Sequence, residues 1–291
     1  MPNDYLLAAI LGVVEGLTEF LPVSSTAHLR ICQVLMGVNL SDGYWKMFAI
    51  VIQVGAILSL PLYFRETIYG FFSHFPKGPR GDRSVFTHPL TLILIAFVFT
   101  AVPSLLLTKT IGKNLESVTV MGIALIVGGI VMWVVDDLCS PDRRPPRTNQ
   151  IDETGILQSV WIGLCQTFSA VFPGVSRSMA TITGGQVTGM SRSVALEFSF
   201  LLSIPTMTAA TGYDLLKSLH PGAGGNPVGT THLDAHGIVL LLIGGLISFI
   251  VAYLSVAWFM RWVRQHGFAL FAIYRIAVGG AVLWFAEGLV S

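Results

Sequence analysis

The chain has 291 residues, of which 53% are hydrophobic and only 11% are charged, and its mean hydropathy is +0.71. Soluble globular domains carry about 25% charged residues, so this chain has too few charges to cover the surface of a soluble globule. The 17 basic and 16 acidic residues give a net charge of +1, which argues against nucleic acid as a partner. These values exclude most cytosolic enzymes and a largely disordered protein, and they favour a polytopic membrane protein.

The first predicted element is an apolar region from Tyr5 to about Gly37, interrupted by Glu15, Glu19 and the polar segment 21–26. Carboxylates, a proline and consecutive hydroxyl side chains do not face lipid. Irregular backbone at membrane depth is stable only against protein or a water-filled cavity. We therefore predict a re-entrant helix–loop–helix hairpin in this region.

Three apolar segments follow, each long enough to cross the hydrocarbon core, which takes about 20 residues. A second interrupted region, from about Gly155 to Met190, contains a proline, a glycine and an arginine within 173–177, and we predict a second hairpin there. Three more apolar segments come after it. The six predicted spans are 45–64, 89–108, 118–135, 195–213, 237–260 and 268–290.

The two interrupted regions resemble each other at one constant offset, and each precedes three spans. Because three is odd, the two halves must have opposite orientations in the membrane, as in inverted-repeat membrane proteins. We predict an all-α integral membrane protein with six transmembrane helices and two re-entrant hairpins, built from inverted repeats at 1–150 and 151–291. The aligned positions are 12–18 with 163–169, Pro22 with Pro173, and Ser25 with Ser176.

The distribution of lysine and arginine predicts the orientation. Most of these residues lie in the loops after the first, third and fifth spans, and such loops are cytoplasmic by the positive-inside rule. Both termini are then outside, and the first hairpin enters the membrane from outside.

Glu15 and Glu19 are four residues apart and would share one face of a helix. Two carboxylates in an apolar helix are costly unless they line a wet cavity or meet a cation. A metal-binding or acid–base pair is the functional interpretation. The alternative is a pair of glutamates at a helix end that extend to the membrane interface.

Ser24, Ser25 and Thr26 follow directly, and His28 lies three residues after Ser25. Such a serine and histidine can act as a nucleophile and its base. The hydroxyl groups can equally cap the helix predicted to begin near Thr26.

The second hairpin carries a segment suited to binding an oxyanion. Gly174 allows close approach of the backbone to a ligand, and Ser176 and Ser178 at a helix N-terminus offer hydroxyl and amide donors. Arg177 offers a permanently charged planar fork that matches phosphate. The alternative is that Arg177 pairs with Glu15, Glu19 or Glu197 for structure alone.

Other residues have plainer interpretations. We expect Gln53, Tyr274 and Arg275 to make polar contacts between helices, and we leave Arg192 and Glu197 open between such a contact and a place beside the site. Two glycine pairs indicate close helix packing: Gly12 with Gly16, and Gly185 with Gly189.

One half thus supplies carboxylates, hydroxyls and a histidine, and the other half supplies an arginine and donors. This combination predicts a site for a phosphate ester with a divalent cation held by Glu15 and Glu19. The membrane setting favours a substrate with an apolar tail and a phosphorylated head.

Segments 15–26 and 173–181 closely resemble the two signature motifs of the bacterial undecaprenyl-diphosphate phosphatase family, the bacitracin-resistance proteins. The resemblance extends through 197–202 and 271–275. It implies hydrolysis of undecaprenyl diphosphate to undecaprenyl phosphate and inorganic phosphate, which recycles the lipid carrier for peptidoglycan synthesis. It also implies a multi-pass protein of the bacterial cytoplasmic (inner) membrane with its site open to the periplasmic side. The sequence permits a homodimer.

The same resemblance implies roles for individual residues. Glu15 and Glu19 are expected to be essential carboxylates that bind a divalent cation, Mg or Ca, and Arg177 is expected to hold phosphate. Ser25 and His28 are candidates for the nucleophile or for proton transfer. The expected phosphate-binding residues are Ser24, Thr26, Gly174, Ser176, Ser178 and Thr181.

The mechanism and two rival functions stay open at this point. Ser25 could attack phosphorus with His28 or a glutamate as base, His28 could itself attack, or metal-activated water could attack without a covalent intermediate. Inverted repeats with broken helices also occur in secondary transporters, so a transporter or flippase of a phosphorylated polyprenyl lipid is the main alternative. The second alternative is a resistance factor that binds the lipid without turnover.

Overall fold

The computed structural model describes residues 3–39, 42–79, 81–107, 117–219 and 234–290. Within these ranges the chain forms eleven α-helices and one 3-10 helix at Ile151–Glu153, and it forms no strand beyond an isolated bridge between Thr148 and Met190. The α-helices are α1 (Asp4–Thr18), α2 (Ser25–Leu35), α3 (Gly43–Tyr63), α4 (Arg65–Ser73), α5 (Pro89–Leu106), α6 (Val118–Leu138), α7 (Ile156–Val171), α8 (Arg177–Val187), α9 (Arg192–Leu219), α10 (Ala235–Trp262) and α11 (Ala269–Val290). The predicted all-α class is confirmed.

Five helices of the described part are long and apolar enough to cross a membrane, and they correspond to five of the six predicted spans. The sixth prediction, 268–290, falls on α11, where Ala269–Trp284 is a shorter apolar helix. The chain is therefore a multi-pass membrane protein. The five helical segments are Gly43–Tyr63, Pro89–Leu106, Val118–Leu138, Arg192–Asp214 and Ala235–Trp262.

Each interrupted region forms two helices with a break where the sequence predicts one. Helices α1 and α2 are separated by 19–24, and α7 and α8 are separated by 172–176. Each second helix follows a serine with positive φ, Ser24 at 74° and Ser176 at 69°. Ser24 therefore corresponds to Ser176, and the predicted match of Ser25 with Ser176 is wrong by one residue, because the second loop has one more residue after its proline.

The helices divide into two compact units. The first unit comprises the described residues within 1–20, 25–63 and 203–257. Here α1 packs closely on α10, because a Cβ on Gly12 would lie 2.6 Å from Gly244 O and one on Gly16 would lie 2.7 Å from Ser248 O. The predicted packing role of this glycine pair is confirmed. Gln53 Oε1 accepts a hydrogen bond from Thr211 Oγ1 at 3.2 Å, which confirms the predicted contact between helices.

The second unit comprises the described residues within 21–24, 64–202 and 258–291. A Cβ on Gly185 would lie 2.9 Å from Ala195 Cβ, so this glycine permits close packing as predicted. Gly189 does not: it has φ +91° in the turn after α8, and its nearest neighbour is the Arg147 side chain at 3.6 Å. Glycine is favoured at position 189 because residues with a side chain rarely adopt a backbone with positive φ.

Asp136, at the end of α6, is the centre of a buried polar network in the second unit. Its Oδ1 accepts hydrogen bonds from Arg192 Nε at 2.7 Å and from Gln186 Nε2 at 3.0 Å. Its Oδ2 accepts one from Phe268 N at 2.8 Å. This carboxylate joins the ends of four helices, and Arg192 has a structural role in the network.

Candidate functional site

Glu15 and Glu19 lie at the C-terminal end of α1. The Glu15 side chain is fully buried, and Glu19 is 8% exposed. Glu19 is the C-cap residue, and its N–H donates to Glu15 O at 2.9 Å. The helix thus presents two buried carboxylates one turn apart, immediately before the chain breaks.

Ser25 lies against this carboxylate pair. It is the first residue of α2, and its Oγ donates a hydrogen bond to Glu19 Oε2. A serine hydroxyl bonded to a carboxylate has the arrangement of a nucleophile and its base. The break between the helices produces this contact, because it turns the chain back within six residues.

The other predicted residues of the first motif lie beside Ser25 on the same helix or just before it. His28 is half-buried and follows Ser25 by three residues, so both side chains lie on one face of α2. Thr26 is exposed, whereas Ser24 is buried. The structure thus joins Ser25 to Glu19, while Glu15 lies one turn before Glu19 on α1 and His28 lies one turn after Ser25 on α2.

Ser24 and Ser176 have unusual backbones. They are the only non-glycine residues in the described ranges with positive φ. This conformation is sterically unfavourable for L-residues and costs on the order of 1–3 kcal/mol when the surrounding structure imposes it. Both serines immediately precede helices that carry predicted site residues.

The second motif begins α8. Ser176 caps this helix by accepting a hydrogen bond from Met179 N at 3.4 Å, and its Oγ lies 3.1 Å from Ser178 Oγ. Arg177 is half-buried and is the first residue of the helix. The amide groups and the positive end of the helix dipole at such an N-terminus favour an anion.

Gly174 is explained by its closeness to α6. It has φ +97°, and a Cβ there would lie 2.5 Å from Met121 O. No larger residue fits without moving α6. Contact of Gly174 with substrate phosphate stays a prediction.

Two predicted phosphate-binding hydroxyls make hydrogen bonds within the protein. Ser178 Oγ donates to Leu21 O at 3.0 Å. Thr181 Oγ1 donates to Arg177 O at 2.9 Å and lies 2.6 Å from Ser199 Oγ. Ser178 thus fixes the loop and Thr181 the start of α8, and contact of either side chain with substrate phosphate stays a prediction.

Arg275 on α11 is a residue whose importance the sequence reasoning missed. Its side chain is fully buried. Its Nη1 donates to Pro22 O at 3.0 Å, and its Nη2 lies 2.9 Å from both Gly174 O and Val175 O and 3.2 Å from Ala124 O. One guanidinium thus fastens the loop before α2 and the loop before α8. An arginine within an apolar segment is a functional signal in its own right, and it could have identified this residue.

Within the described ranges, few side chains are placed to act as metal ligands. The described residues contain no group of three or more His, Cys, Asp or Glu side chains that could hold a metal. Glu15 and Glu19 nevertheless fit a hard divalent cation, since Mg²⁺ is often bound by one or two carboxylates with substrate phosphate and water as the other ligands.

The family model and the related proteins that match this chain cover nearly its full length. The family model described as bacitracin resistance protein BacA matches residues 8–281. The chain is 61% identical over 285 residues to an undecaprenyl-diphosphatase of Koribacter versatilis (strain Ellin345), covering 98% of this chain and 99% of the relative. A protein of the same name from Sorangium cellulosum (strain So ce56) is 43% identical, with 95% and 85% covered. Another from Porphyromonas gingivalis (strain ATCC 33277) is 38% identical, with 96% and 95% covered.

Proposed function

The chain belongs to the bacitracin resistance protein BacA family, and on that premise we propose that it hydrolyses undecaprenyl diphosphate to undecaprenyl phosphate and inorganic phosphate. The name undecaprenyl-diphosphatase, carried by a relative 61% identical over nearly the full length, supports this activity. The reaction recycles the lipid carrier of peptidoglycan synthesis. It confers bacitracin resistance, in keeping with the family name.

The proposal extends to the arrangement in the membrane. The protein lies in the bacterial cytoplasmic membrane with six transmembrane helices, two re-entrant hairpins and halves of opposite orientation. Its site opens to the periplasmic side. The concentration of lysine and arginine in alternate loops supports this orientation.

The hydrogen bond from Ser25 to Glu19 carries the proposed mechanism. Glu19 accepts the hydroxyl proton as Ser25 Oγ attacks the terminal phosphorus. The bond from that phosphorus to the bridging oxygen breaks, and undecaprenyl phosphate leaves. Water then attacks the phosphoserine, releasing inorganic phosphate and restoring the hydroxyl group. His28, on the same face of α2, assists proton transfer.

Arg177 and the hydroxyl groups near it hold the transferred phosphoryl group. Its guanidinium fork matches two phosphate oxygens and stabilises the charge they carry in the transition state. Ser24, Thr26, Gly174 and Ser176 contribute further donors. A divalent cation, Mg or Ca, bound by Glu15 and Glu19 supplies charge that offsets the diphosphate.

Phosphate release by detergent-purified protein tests the proposal. We expect release from undecaprenyl or farnesyl diphosphate that EDTA abolishes and added divalent cation restores. Glu19→Gln should lower kcat by about 10²–10⁴-fold, the usual contribution of a general base. Ser25→Ala should lower it at least as much, while Ser73→Ala, an exposed serine on α4, should have the wild-type rate.

Different outcomes would contradict different parts of the proposal. Full activity of Ser25→Ala with loss in His28→Ala would make the histidine the attacking group. No release with any divalent cation, from protein shown to be folded, would remove the hydrolase assignment and favour a transporter of the same lipid.

A further inference from the structure

An apolar cavity of about 560 Å³ lies within the second unit, bounded by α6, α7 and α8. Val127 and Val131 form part of its wall on α6, Phe168 contributes from α7, and Met179 and Ala180 contribute from α8. The volume is in the range of small-molecule binding sites. The cavity is large enough for part of a ligand and is formed by helices of a single unit.

The cavity lining selects an apolar occupant. Its lining residues include no charged side chain, and their polar side chains are those of Cys165 and Thr183. Thr183 Oγ1 already donates to Met179 O at 2.8 Å. An ion or a phosphate group would lose its hydration there without receiving hydrogen bonds, which is strongly unfavourable. A hydrocarbon chain meets no such cost.

The cavity opens on the outer face of α6. Ile123 and Val127 in its wall are 50% and 52% exposed, and α6 is one of the helices apolar enough to cross a membrane. Exposed apolar side chains on a membrane-spanning helix meet lipid tails, so we expect the occupant to enter from the bilayer. A hydrocarbon chain that moves from lipid into the cavity does not leave water, so the hydrophobic effect adds little to its binding. Its affinity comes from close van der Waals packing against the cavity wall.

The cavity is continuous with the loop that begins the second motif. Phe172 and Val175 line it, and Val175 directly precedes Ser176 and Arg177 at the start of α8. The chain thus passes within two residues from the cavity wall to the proposed phosphate-binding arginine. A ligand whose hydrocarbon chain is attached to a phosphorylated head matches this arrangement, because its chain would meet the apolar cavity and its head would meet the arginine.

We propose that this cavity binds the isoprene units nearest to the diphosphate of the substrate and so selects a polyprenyl chain. The inference rests on the proposed function and adds a specificity site to it. It predicts that KM falls as the prenyl chain lengthens, until the cavity is filled, and that further units outside it add little.

A substitution in the cavity wall provides the test. Val127→Trp fills the cavity from a half-exposed position, and Val134→Trp places the same side chain on α6, 50% exposed and outside the cavity. We expect Val127→Trp to raise KM for farnesyl diphosphate about tenfold or more, since one methylene in an apolar pocket is worth about 10–200-fold. KM for isopentenyl diphosphate, with one isoprene unit, should rise far less. Val134→Trp should give wild-type values for both substrates.

If the ratio of KM for farnesyl diphosphate to KM for isopentenyl diphosphate were the same in the two variants, the cavity would not bind the prenyl chain. The phosphatase function would remain intact. Failure of the wild-type protein to release phosphate from either substrate would instead overturn the proposed function.

Thiol labelling gives a second measurement that does not depend on the folding of a variant with a filled cavity. In protein with Cys32→Ser and Cys139→Ser, the remaining Cys165 lines the cavity. We expect farnesyl diphosphate to slow its reaction with N-ethylmaleimide several-fold and pyrophosphate to have no such effect. Equal rates with and without farnesyl diphosphate, or equal protection by pyrophosphate, would overturn the proposal.

Discussion

At the scale of single residues, Arg275 is the side chain that most clearly links the two helix breaks. A guanidinium group has five donors in a rigid plane, which is why one side chain reaches three carbonyl oxygens in the two loops and a fourth, Ala124 O, on α6. Gly128 leaves room for it, since a Cβ there would contact Arg275 Nη2. Arg275 therefore helps to fix the positions of both loops, together with the hydrogen bond from Ser178 Oγ to Leu21 O.

Arg275→Lys should lower activity and stability together. A lysine keeps the charge but cannot bond all four carbonyls, and each buried group left without a partner costs about 1–3 kcal/mol. Misplaced loops should lower kcat about 10²-fold with a smaller change in KM. Steady-state kinetics and thermal unfolding in detergent measure both effects. Arg261→Lys, the same change at an exposed position on α10, is the control; equal kinetics in the two variants would contradict a positioning role.

His88 gives the protein a pH-dependent contribution to stability. It caps α5, where its Nδ1 accepts a hydrogen bond from Leu90 N at 3.2 Å. Burial lowers the pKa of its imidazole below the ordinary value near 6.5; Asp152 opposes this shift, and Arg83 and His74 add to it. The folded state therefore favours neutral His88, and its contribution to stability is complete above about pH 6.5 and decreases as the pH falls further.

Thermal unfolding between pH 7.5 and 5.5 measures this dependence. The wild-type Tm should fall with acidification, and His88→Asn, which keeps a capping acceptor without titrating, should show a smaller fall. His266→Gln, at an exposed histidine, should match the wild type. Identical pH profiles for His88→Asn and the wild type would show that this imidazole does not titrate as described.

The residue scale also shows what a sequence can reveal about a site. Glu15, Glu19 and Ser25 could be named as candidate site residues because charged and hydroxyl groups stand out in apolar helices, and their roles stay a prediction. The partners of Arg275 were not identifiable, because they are backbone carbonyls and have no sequence signature. The positive φ of Ser24 and Ser176 was missed for the same reason, since glycine usually marks that conformation.

At the scale of helices, Asp136 holds four helix ends together, and its loss should be costly. Removing one partner of a buried ion pair typically costs about 3–5 kcal/mol. Arg192 is partly exposed, so we expect the lower end, about 3 kcal/mol, for Asp136→Ala. Thermal or denaturant unfolding of the purified protein measures the loss.

The neighbouring residue provides a matched control. Asp137 pairs with Arg143 at 3.0 Å, but both side chains are at least half exposed. Exposed ion pairs are worth about 0.2–1 kcal/mol, so Asp137→Ala should be nearly neutral. Similar decreases in the free energy of unfolding for Asp136→Ala and Asp137→Ala would show that the buried network does not stabilise the protein more than an exposed ion pair does.

Helix positions were more predictable than helix ends and turns. Apolar length identified five spans that the structure bears out, and the prolines at the two breaks located both interruptions. Helix α4, in a basic and less apolar loop, was not predicted. Gly189 was misassigned because small-residue spacing does not distinguish a packing surface from a left-handed turn.

At the scale of the whole molecule, the distribution of basic residues predicts which loops face the cytoplasm. In a variant without native cysteines, we expect Asn39→Cys to react with a membrane-impermeant maleimide in intact cells. Ser84→Cys should react only after the membrane is permeabilised. Both positions are exposed, so the contrast reports sidedness. The reverse labelling pattern would place the protein in the opposite orientation.

The bonds of Arg275 also have a consequence for biogenesis. Pro22 and Arg275 are 253 residues apart, yet one hydrogen bond joins them. At about 5–20 residues per second, a ribosome needs on the order of tens of seconds to make the chain between them. Until then the first loop lacks its arginine partner, although α1 and α2 have already been made. The loop of the first motif therefore cannot make all its native hydrogen bonds while the chain is being synthesised. We expect it to reach its final conformation only after the last helix has entered the membrane.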